Sequence, residues 1–226
     1  MLTILHRHTG SVLLETELLQ GADLSFCILQ DADLDRTILL CTNLAGGNLI
    51  NASLVQANLS GADLTGADLW GADVRAANLA LASLRFAHLD QANFRDANHQ
   101  GANLRHARLE RTDLRQAWLV GADLSETDLS SCLLEGALFD ENTQWPEGFQ
   151  SHAAGAYLVS PVIPRPSVNT TASDYCGVLV DITRDSGGTA PVMPHQDAVR
   201  GRPRVLGNPV CGLAQAGPHR RPSATG

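Results

Sequence analysis

The sequence predicts an all-β solenoid, because one five-residue pattern repeats in constant register from Leu19 to Phe139. An apolar residue, nearly always leucine, returns at every fifth position from Leu24 onward, and the residue two positions before it is small. A period of five fits neither the repeat of about 3.6 residues of a helix nor the alternation of an ordinary strand. Residues two apart on extended backbone share a face, so each unit places one small and one large side chain inside.

The repeat is most regular in its middle, where residues 61–75 read Gly-Ala-Asp-Leu-Thr, Gly-Ala-Asp-Leu-Trp and Gly-Ala-Asp-Val-Arg. Twenty-four successive centres run from Leu24 to Phe139, and His99 is the one centre that is not apolar. Because an interior imidazole is shielded from water, we expect His99 to be neutral and either hydrogen-bonded or shifted in pKa.

The motif Ala-(Asp/Asn)-Leu-x-x resembles the pentapeptide repeat family, and the resemblance covers roughly residues 12–150. In that family four units form one square coil, and the coils stack as a right-handed quadrilateral parallel β-helix. The resemblance therefore implies about six regular coils over residues 16–140, in a rod about 29 Å long at a spacing of about 4.8 Å per coil. It implies little about function, because such a fold is a scaffold for unrelated tasks.

Residues 1–15 are predicted to form an N-terminal capping hairpin, because two short apolar strands flank a turn that contains Gly10. The coils that follow carry Ile28, Ile38 and Leu40 at outward positions and Phe26 at a corner. We favour the interpretation that the cap packs on these side chains. The alternative is that they form a surface for a partner.

Residues 141–150 contain the segment Trp-Pro-Glu-Gly-Phe, which is similar to the terminating segment of many members of the family, notably cyanobacterial ones. The resemblance implies a C-terminal cap in which Pro146 ends the repeat and Trp145 and Phe149 lie over the last coil. Residues 151–226 hold nine of the ten prolines and show no repeat register, so we predict a largely disordered tail.

The charge distribution restricts the choice of partners. The net charge of the 226 residues is −8, and residues 1–150 alone contain 20 acids and 9 arginines. An acidic body argues against direct nucleic-acid binding, although it leaves open mimicry of an anionic polymer. No apolar run has the length of a signal peptide or a membrane span, so we expect a cytoplasmic protein without a membrane partner.

No catalytic, cofactor or metal site is predicted, so the chain is expected not to be an enzyme. The aspartates recur in one slot of the repeat where Asn and Ser replace them freely, which is typical of solvation and backbone hydrogen bonding. The histidines form no metal-binding pattern, and no Cys-x-x-Cys pair is present. Cys27 and Cys132 occupy the small inward slot, where we expect them to be reduced and structural.

Two groups of outward residues are candidates for a partner surface. With four units per coil, Arg75, Arg95 and Arg115 stack on one face, either to receive an anionic partner or, as we favour, as a solubilising ladder flanked by aspartates. Trp70 and Trp118 also fall in outward slots, which we place on adjacent faces. Because exposed tryptophans are enriched in binding hot spots, they are predicted to contact a protein partner or a second copy in a homodimer.

The function that the sequence favours is a non-enzymatic scaffold that mediates protein–protein interaction, with the partner unknown. The resemblance supplies an alternative, a DNA mimic that binds DNA gyrase or another type II topoisomerase and modulates fluoroquinolone susceptibility. Two features argue against the alternative: arginine columns interrupt the acidic surface, and the unbroken register leaves no projecting loop.

Overall fold

The structure is a computed structural model that describes residues 2–159, and every structural statement below concerns that part of the chain. It contains no α-helix there, and accordingly no helix with the length and apolarity of a membrane span. The regular strands are few and short, and most of the chain is organised by single bridges and turns. They are β1 (Leu2–His6), β2 (Val12–Thr16), β3 (Ala32–Asp33), β4 (Leu138–Phe139) and β5 (Tyr157–Leu158).

Parallel bridges between residues twenty apart build the rod, as between Asp23 and Asn43 or Ile28 and Asn48. Four such ladders follow one another at intervals of five residues, so each coil has four sides. The predicted parallel β-helix is therefore confirmed. We number the sides by the units that they carry: those centred on Leu24, Leu29, Leu34 and Leu39, and on every twentieth residue after each.

The corners are tight turns in which the amide of each small residue donates to the carbonyl of the preceding centre, as from Cys27 N to Leu24 O at 3.2 Å. The third residue of the turn has a positive φ at every fifth position from Gly21 to Glu126, and fifteen of these residues are not glycine. A type II turn requires a positive φ at this position, where Gly or Asn is favoured. A left-handed conformation costs other residues about 1–2 kcal/mol each, so the coil ladders and the core must offset distributed strain.

The interior follows the predicted register. No centre from Leu24 to Phe139 is more than 6% exposed, and nearly all the preceding small residues are buried as well. On the third side the smallest aliphatic centre, Val74, lies one coil before the much larger Phe94. Side-chain volumes along this column are therefore complementary, as close packing of an interior requires.

The N-terminal hairpin joins the first coil through its edge. Strand β1 pairs antiparallel with β2 and with β3, and Ile4 and Leu14 of the hairpin are buried in the core. It does not cover the outward apolar residues of the first coils: Phe26 is 70% exposed, Ile28 50% and Ile38 60%. The expectation that the cap packs on these three is wrong, whereas Leu40 is buried.

Aromatic side chains pack against one another at the other end of the rod. The Trp145 ring lies edge-on to Phe139 and stacks on Phe149, with centroids 5.3 Å apart in both pairs. Trp145, Pro146 and Phe149 are all partly buried. Strand β5 then pairs in parallel with β4, so regular structure extends past the predicted boundary at Gln150. The rest of the predicted tail, residues 160–226, lies outside the described residues.

Candidate functional site

The arginine column of the third side is neutralised by its own units. Arg75 forms a two-pronged ion pair with Asp73, with Nη2 2.7 Å from Oδ2, and Arg115 repeats the arrangement with Asp113 at 2.6 Å. The hydrogen bonds from Arg115 are the main reason that the pKa of Asp113 is lowered. Two of the three predicted arginines therefore form ion pairs with aspartates of the rod itself.

Arg95 differs because Asn93 occupies the slot that holds aspartate in the other two units. Its Nε lies 3.6 Å from Oδ2 of Asp96, in the turn that follows. All three arginines thus have a carboxylate within ion-pair distance, although such exposed pairs contribute only about 0–1 kcal/mol. This arrangement favours the solubilising ladder over a bare cationic stripe.

The two predicted tryptophans do not share a surface. Trp70 follows centre Leu69 on the second side and is 42% exposed, whereas Trp118 precedes centre Leu119 on the fourth side and is partly buried. The two centres are ten units, or two and a half coils, apart, so the tryptophans lie on opposite sides of the rod. The prediction of adjacent faces is wrong, and one flat partner can contact only one of them.

Trp70 instead belongs to an apolar patch on the second side, which consists of Phe26, Ile28, Ile50 and Trp70. Ile50 precedes Trp70 by one coil in the same outward column, and Ile28 begins the neighbouring ladder on that side. Phe26 lies at the corner where this side begins, and its ring leans over the turn at Gly46, where an added Cβ would be 2.5 Å from its Cε1. The four residues are visible in the sequence, but only the ladder register places them together.

Acidic residues border this patch along the rest of the second side: Asp68, Asp90, Glu110 and Asp128. Arg108 Nη2 donates to Asp90 Oδ2 at 2.8 Å, so it pairs across the side rather than with Asp128 of its own column. The second side therefore combines an apolar lower half with an acidic upper half.

His99 is sealed inside the fourth side. It has no exposed surface, neither ring nitrogen makes a well-formed hydrogen bond, and the Ala97 backbone is the polar group that opposes the effect of burial on its pKa. Its ring lies edge-on to Phe94 with centroids 5.0 Å apart, and burial lowers its pKa to about 4. The expectation of a neutral imidazole with a shifted pKa is confirmed, and an imidazole enclosed in this way has no access to a substrate.

The cysteines differ from one another. Cys27 and Cys41 are disulfide-bonded, so the expectation that Cys27 is reduced is wrong. Cys132 is a free thiol whose Sγ donates to the Leu109 carbonyl at 3.0 Å, and burial raises its pKa to about 12. A protonated buried thiol is a poor nucleophile. Within residues 2–159, no group of three His, Cys, Asp or Glu side chains is placed to hold a metal ion.

A four-sided parallel β-helix with a sealed apolar interior defines a repeat scaffold. Pentapeptide repeats match the chain in eight copies, over residues 18–54, 42–79, 77–116 and 100–136. These ranges together span more than half of the 226 residues, and the chain belongs to the pentapeptide repeat family. Proteins of this family fold as right-handed β-helices.

Several solved structures are similar to this chain. HetL, a pentapeptide repeat protein involved in heterocyst differentiation regulation in the cyanobacterium Nostoc sp. strain PCC 7120, is 34% identical over 53% of this chain and 60% of its own, with a TM-score of 0.28. A pentapeptide repeat protein of the Arabidopsis thaliana thylakoid lumen is 30% identical over 49% of this chain and 70% of its own, with a TM-score of 0.25.

Full-length QnrB1, a plasmid-mediated fluoroquinolone resistance protein, is 16% identical over 65% of this chain and 88% of its own, with a TM-score of 0.31. No curated protein matches the chain. The chain spans 60% of the length of HetL, less than two thirds. These likenesses assign no partner to this chain.

Proposed function

We propose that the chain is a non-enzymatic scaffold that binds a protein partner through the apolar patch on its second side. The observation that carries the proposal is the exposure of Phe26, Ile28 and Trp70 on one side of the rod, whereas the apolar centres of the repeat are buried in its interior. Contiguous exposed apolar surface marks interaction sites, and a partly exposed tryptophan is a frequent hot spot. Phe26, Ile28 and Trp70 are all exposed, so a partner has access to them, although Arg7 of the N-terminal hairpin reaches the Asn51 carbonyl beside Ile50.

The chemistry of the partner follows from the rest of the second side. An apolar anchor fits the patch, and basic groups beside that anchor complement the carboxylates of Asp68 and Glu110. The third-side arginines Arg75, Arg95 and Arg115 are left out of the proposed surface, since each already has a carboxylate partner. The partner therefore needs a protruding apolar side chain with basic residues beside it.

The proposal divides the chain into a rod of six coils over residues 16–140 with a cap at each end. The burial of Ile4 and Leu14 supports a hairpin cap, and the packing of Trp145 on Phe139 supports a C-terminal cap. Replacing Trp145 and Phe149 together with alanine should expose the last coil and make the protein aggregate. Unchanged solubility of that double variant would remove the capping role.

Affinity purification from the source cell tests the patch with a matched pair of tryptophan variants. The wild type and Trp118→Ala should recover the same specific partner, whereas Trp70→Ala should lose it. Trp118 is the control because it lies on the opposite side of the same rod. Equal recovery by all three proteins, with unchanged circular dichroism, would overturn the proposed surface.

The acidic excess of residues 1–150 keeps the topoisomerase alternative as a second candidate. The ion pairs of Arg75 and Arg115 with aspartates interrupt the continuous negative charge that a DNA mimic needs. In a gyrase supercoiling assay, with and without a fluoroquinolone, we expect neither inhibition nor protection. Either effect at protein concentrations comparable to the enzyme would favour the DNA-mimic function instead.

A further inference from the structure

Neither outward column of the fourth side carries a charged side chain between Ile38 and Leu138 in the described part of the chain, and we call this stretch the neutral side. Asp140, at its upper end, is buried and accepts hydrogen bonds from the Gly121 amide and from Asn142. One outward column of the neutral side comprises Ile38, Asn58, Asn78, Asn98, Trp118 and Leu138, which are joined by bridges. The other comprises Leu40, Ser60, Ala80, Gln100 and Val120, of which Leu40, Ser60 and Ala80 are buried within the rod.

The remaining three sides are all charged. The first carries Asp63 and Arg85, the second Asp68 and Glu110, and the third Asp33 and Asp35 among others. Two copies that meet on one of these sides must pair or bury charged side chains, and the carboxylates that stay unpaired repel one another, which opposes association. The neutral side is the part of the described rod where a second copy meets no such repulsion.

Along the neutral side, apolar and polar residues follow one another in the same order from either end of the rod. The carbonyl of Leu19 accepts from Thr42 Oγ1 at 2.7 Å, which places Leu18 one coil before Ile38 in the first column. That column is then two apolar residues, three asparagines and two apolar residues, with Asn78 at its centre. Because Leu40, Ser60 and Ala80 of the second column are buried, the first column is the one that a second copy would contact along its whole length.

We propose that the neutral side binds a second copy of this chain in an antiparallel dimer, with a two-fold axis that runs between the two rods, perpendicular to both, at the level of Asn78. Such an axis brings each column against itself in reverse order, as an isologous interface requires. Ile38 then meets Trp118 of the partner subunit, and Asn58 meets the partner's Asn98. Apolar residues are matched with apolar residues and amides with amides.

The asparagines fix the register of this dimer. Asn78 Oδ1 accepts from the Ala80 amide at 3.2 Å and from Asn98 Nδ2 at 3.1 Å, so its oxygen is used within the rod. Its own amide hydrogens remain for bonds across the interface. A slip by one coil would set an asparagine against Ile38 or Trp118 and leave those bonds unmade, which disfavours the wrong register.

The size of the neutral side sets the strength that we expect. Six steps from Leu18 to Leu138 at about 4.8 Å each give a strip about 29 Å long and one side wide. Such a strip is at the low end of protein interfaces, so the dimer should dissociate on dilution. Because the second-side patch lies opposite, it stays exposed in the dimer, and the inference does not rest on the proposed partner.

Sedimentation equilibrium of the full chain over a wide concentration range tests the dimer. Asn78→Asp places two like charges at the two-fold axis and should raise the dissociation constant at least about 10-fold. The matched control is Asn93→Asp, which lies in the same slot on the third side between Asp73 and Asp113 and should have no effect. A wild type that is monomeric at every concentration, or equal effects of the two variants, would overturn the proposal.

A charge-swap variant tests the antiparallel arrangement separately. In the proposed dimer Asn58→Lys combined with Asn98→Asp brings opposite charges together twice, so the double variant should associate at least as tightly as the wild type. A parallel dimer brings position 58 against 58 and 98 against 98, so the same variant would dissociate. Failure of either test leaves the Trp70→Ala result unaffected, which separates this proposal from the proposed function.

Discussion

The third and fourth sides of the rod each hold one unusual interior residue, and they differ in how that residue is packed and in the charge of the outer surface. Inside the third side, Phe94 is accommodated by the smaller Val74 one coil before it, and outside it Asp113 and Arg115 neutralise each other. Inside the fourth side, His99 stands between Leu79 and Leu119 with neither ring nitrogen in a well-formed hydrogen bond. Its outer surface carries no charge that would keep another molecule away.

The difference shows where this fold is optimised for stability and where it is not. Natural proteins break local rules most often at functional sites, because stability is then exchanged for another property. The third side breaks no rule of packing or pairing. The fourth side leaves polar atoms unsatisfied inside and apolar side chains uncovered outside, which marks it as the side to perturb first.

The largest effect should come from Phe94→Ala. Removing this fully buried ring leaves a cavity between Val74 and Leu114, and such truncations cost about 3–5 kcal/mol. Urea unfolding followed by circular dichroism measures the loss. Phe94→Leu restores the consensus residue and should cost much less. Equal losses for the two variants would show that Val74 does not compensate for the volume of Phe94.

The next effect has the opposite sign, since His99→Leu should stabilise the protein. The substitution removes two unsatisfied buried nitrogens, each of which costs about 1–3 kcal/mol, and restores the leucine of the column. Burial lowers the pKa of His99 from 6.5 to about 4, so below pH 6.5 the unfolded chain takes up a proton that the folded chain refuses. Stability of the wild type should fall between about pH 6.5 and pH 4 by roughly 3 kcal/mol more than that of the variant.

The measurement is urea unfolding of both proteins at several pH values across this window. Only the difference between the two curves belongs to His99, because the carboxylates titrate in both proteins. A constant difference from pH 7 to pH 4 would mean that the folded protein accepts the proton, and that His99 has a partner or solvent contact.

A smaller effect, of about 1 kcal/mol in each direction, should appear at the corners that follow the two sides. Ala76, after the third side, has a φ of 55°, and Ala76→Gly relieves that strain. Gly121, after the fourth side, has a φ of 66°, and a Cβ there meets only Gly101 backbone atoms at 3.9–4.0 Å. Gly121→Ala therefore introduces strain without a clash. Thermal unfolding should shift upward for Ala76→Gly and downward for Gly121→Ala.

The smallest effect should come from the outer face of the third side. Arg115 and Asp113 are bidentate but partly solvent-exposed, so a double-mutant cycle with Asp113→Asn and Arg115→Met should give a coupling of about 0–1 kcal/mol. The coupling should weaken as pH falls through the lowered pKa of Asp113, where the carboxylate is protonated. A coupling above 2 kcal/mol would mean that this side is held together by charge as well as by packing.

The interior was predictable from the sequence because its period is strict. Every apolar centre from Leu24 to Phe139 is buried, since only one face of each short extended segment points inward. The corners were not predicted: a left-handed residue at Leu81 or Phe86 leaves no compositional signal when glycine occupies only some corners. The surface was predicted in part. The sequence shows that Trp70 and Trp118 occupy outward positions of the repeat, but the side of the rod that each faces depends on an accurate count of units.

The ends of the rod were the least predictable region. The hairpin was expected from two apolar runs, but pairing through β3 leaves Ile28 and Ile38 uncovered in a way that composition does not encode. Strand β5 was missed because a two-residue strand beyond the repeat lacks any periodic signal.

Because the bridges join residues twenty apart, the position of a unit in the sequence determines which of the four sides it faces. Deleting one five-residue unit between Trp70 and Trp118 would leave every remaining leucine inside, yet would turn all later coils by a quarter revolution relative to the earlier ones. Whole coils can be gained or lost without changing the side of the rod that each remaining residue faces. A lineage of such chains can therefore vary its length in steps of twenty and its angular phase in steps of five, while the contents of the tube stay the same.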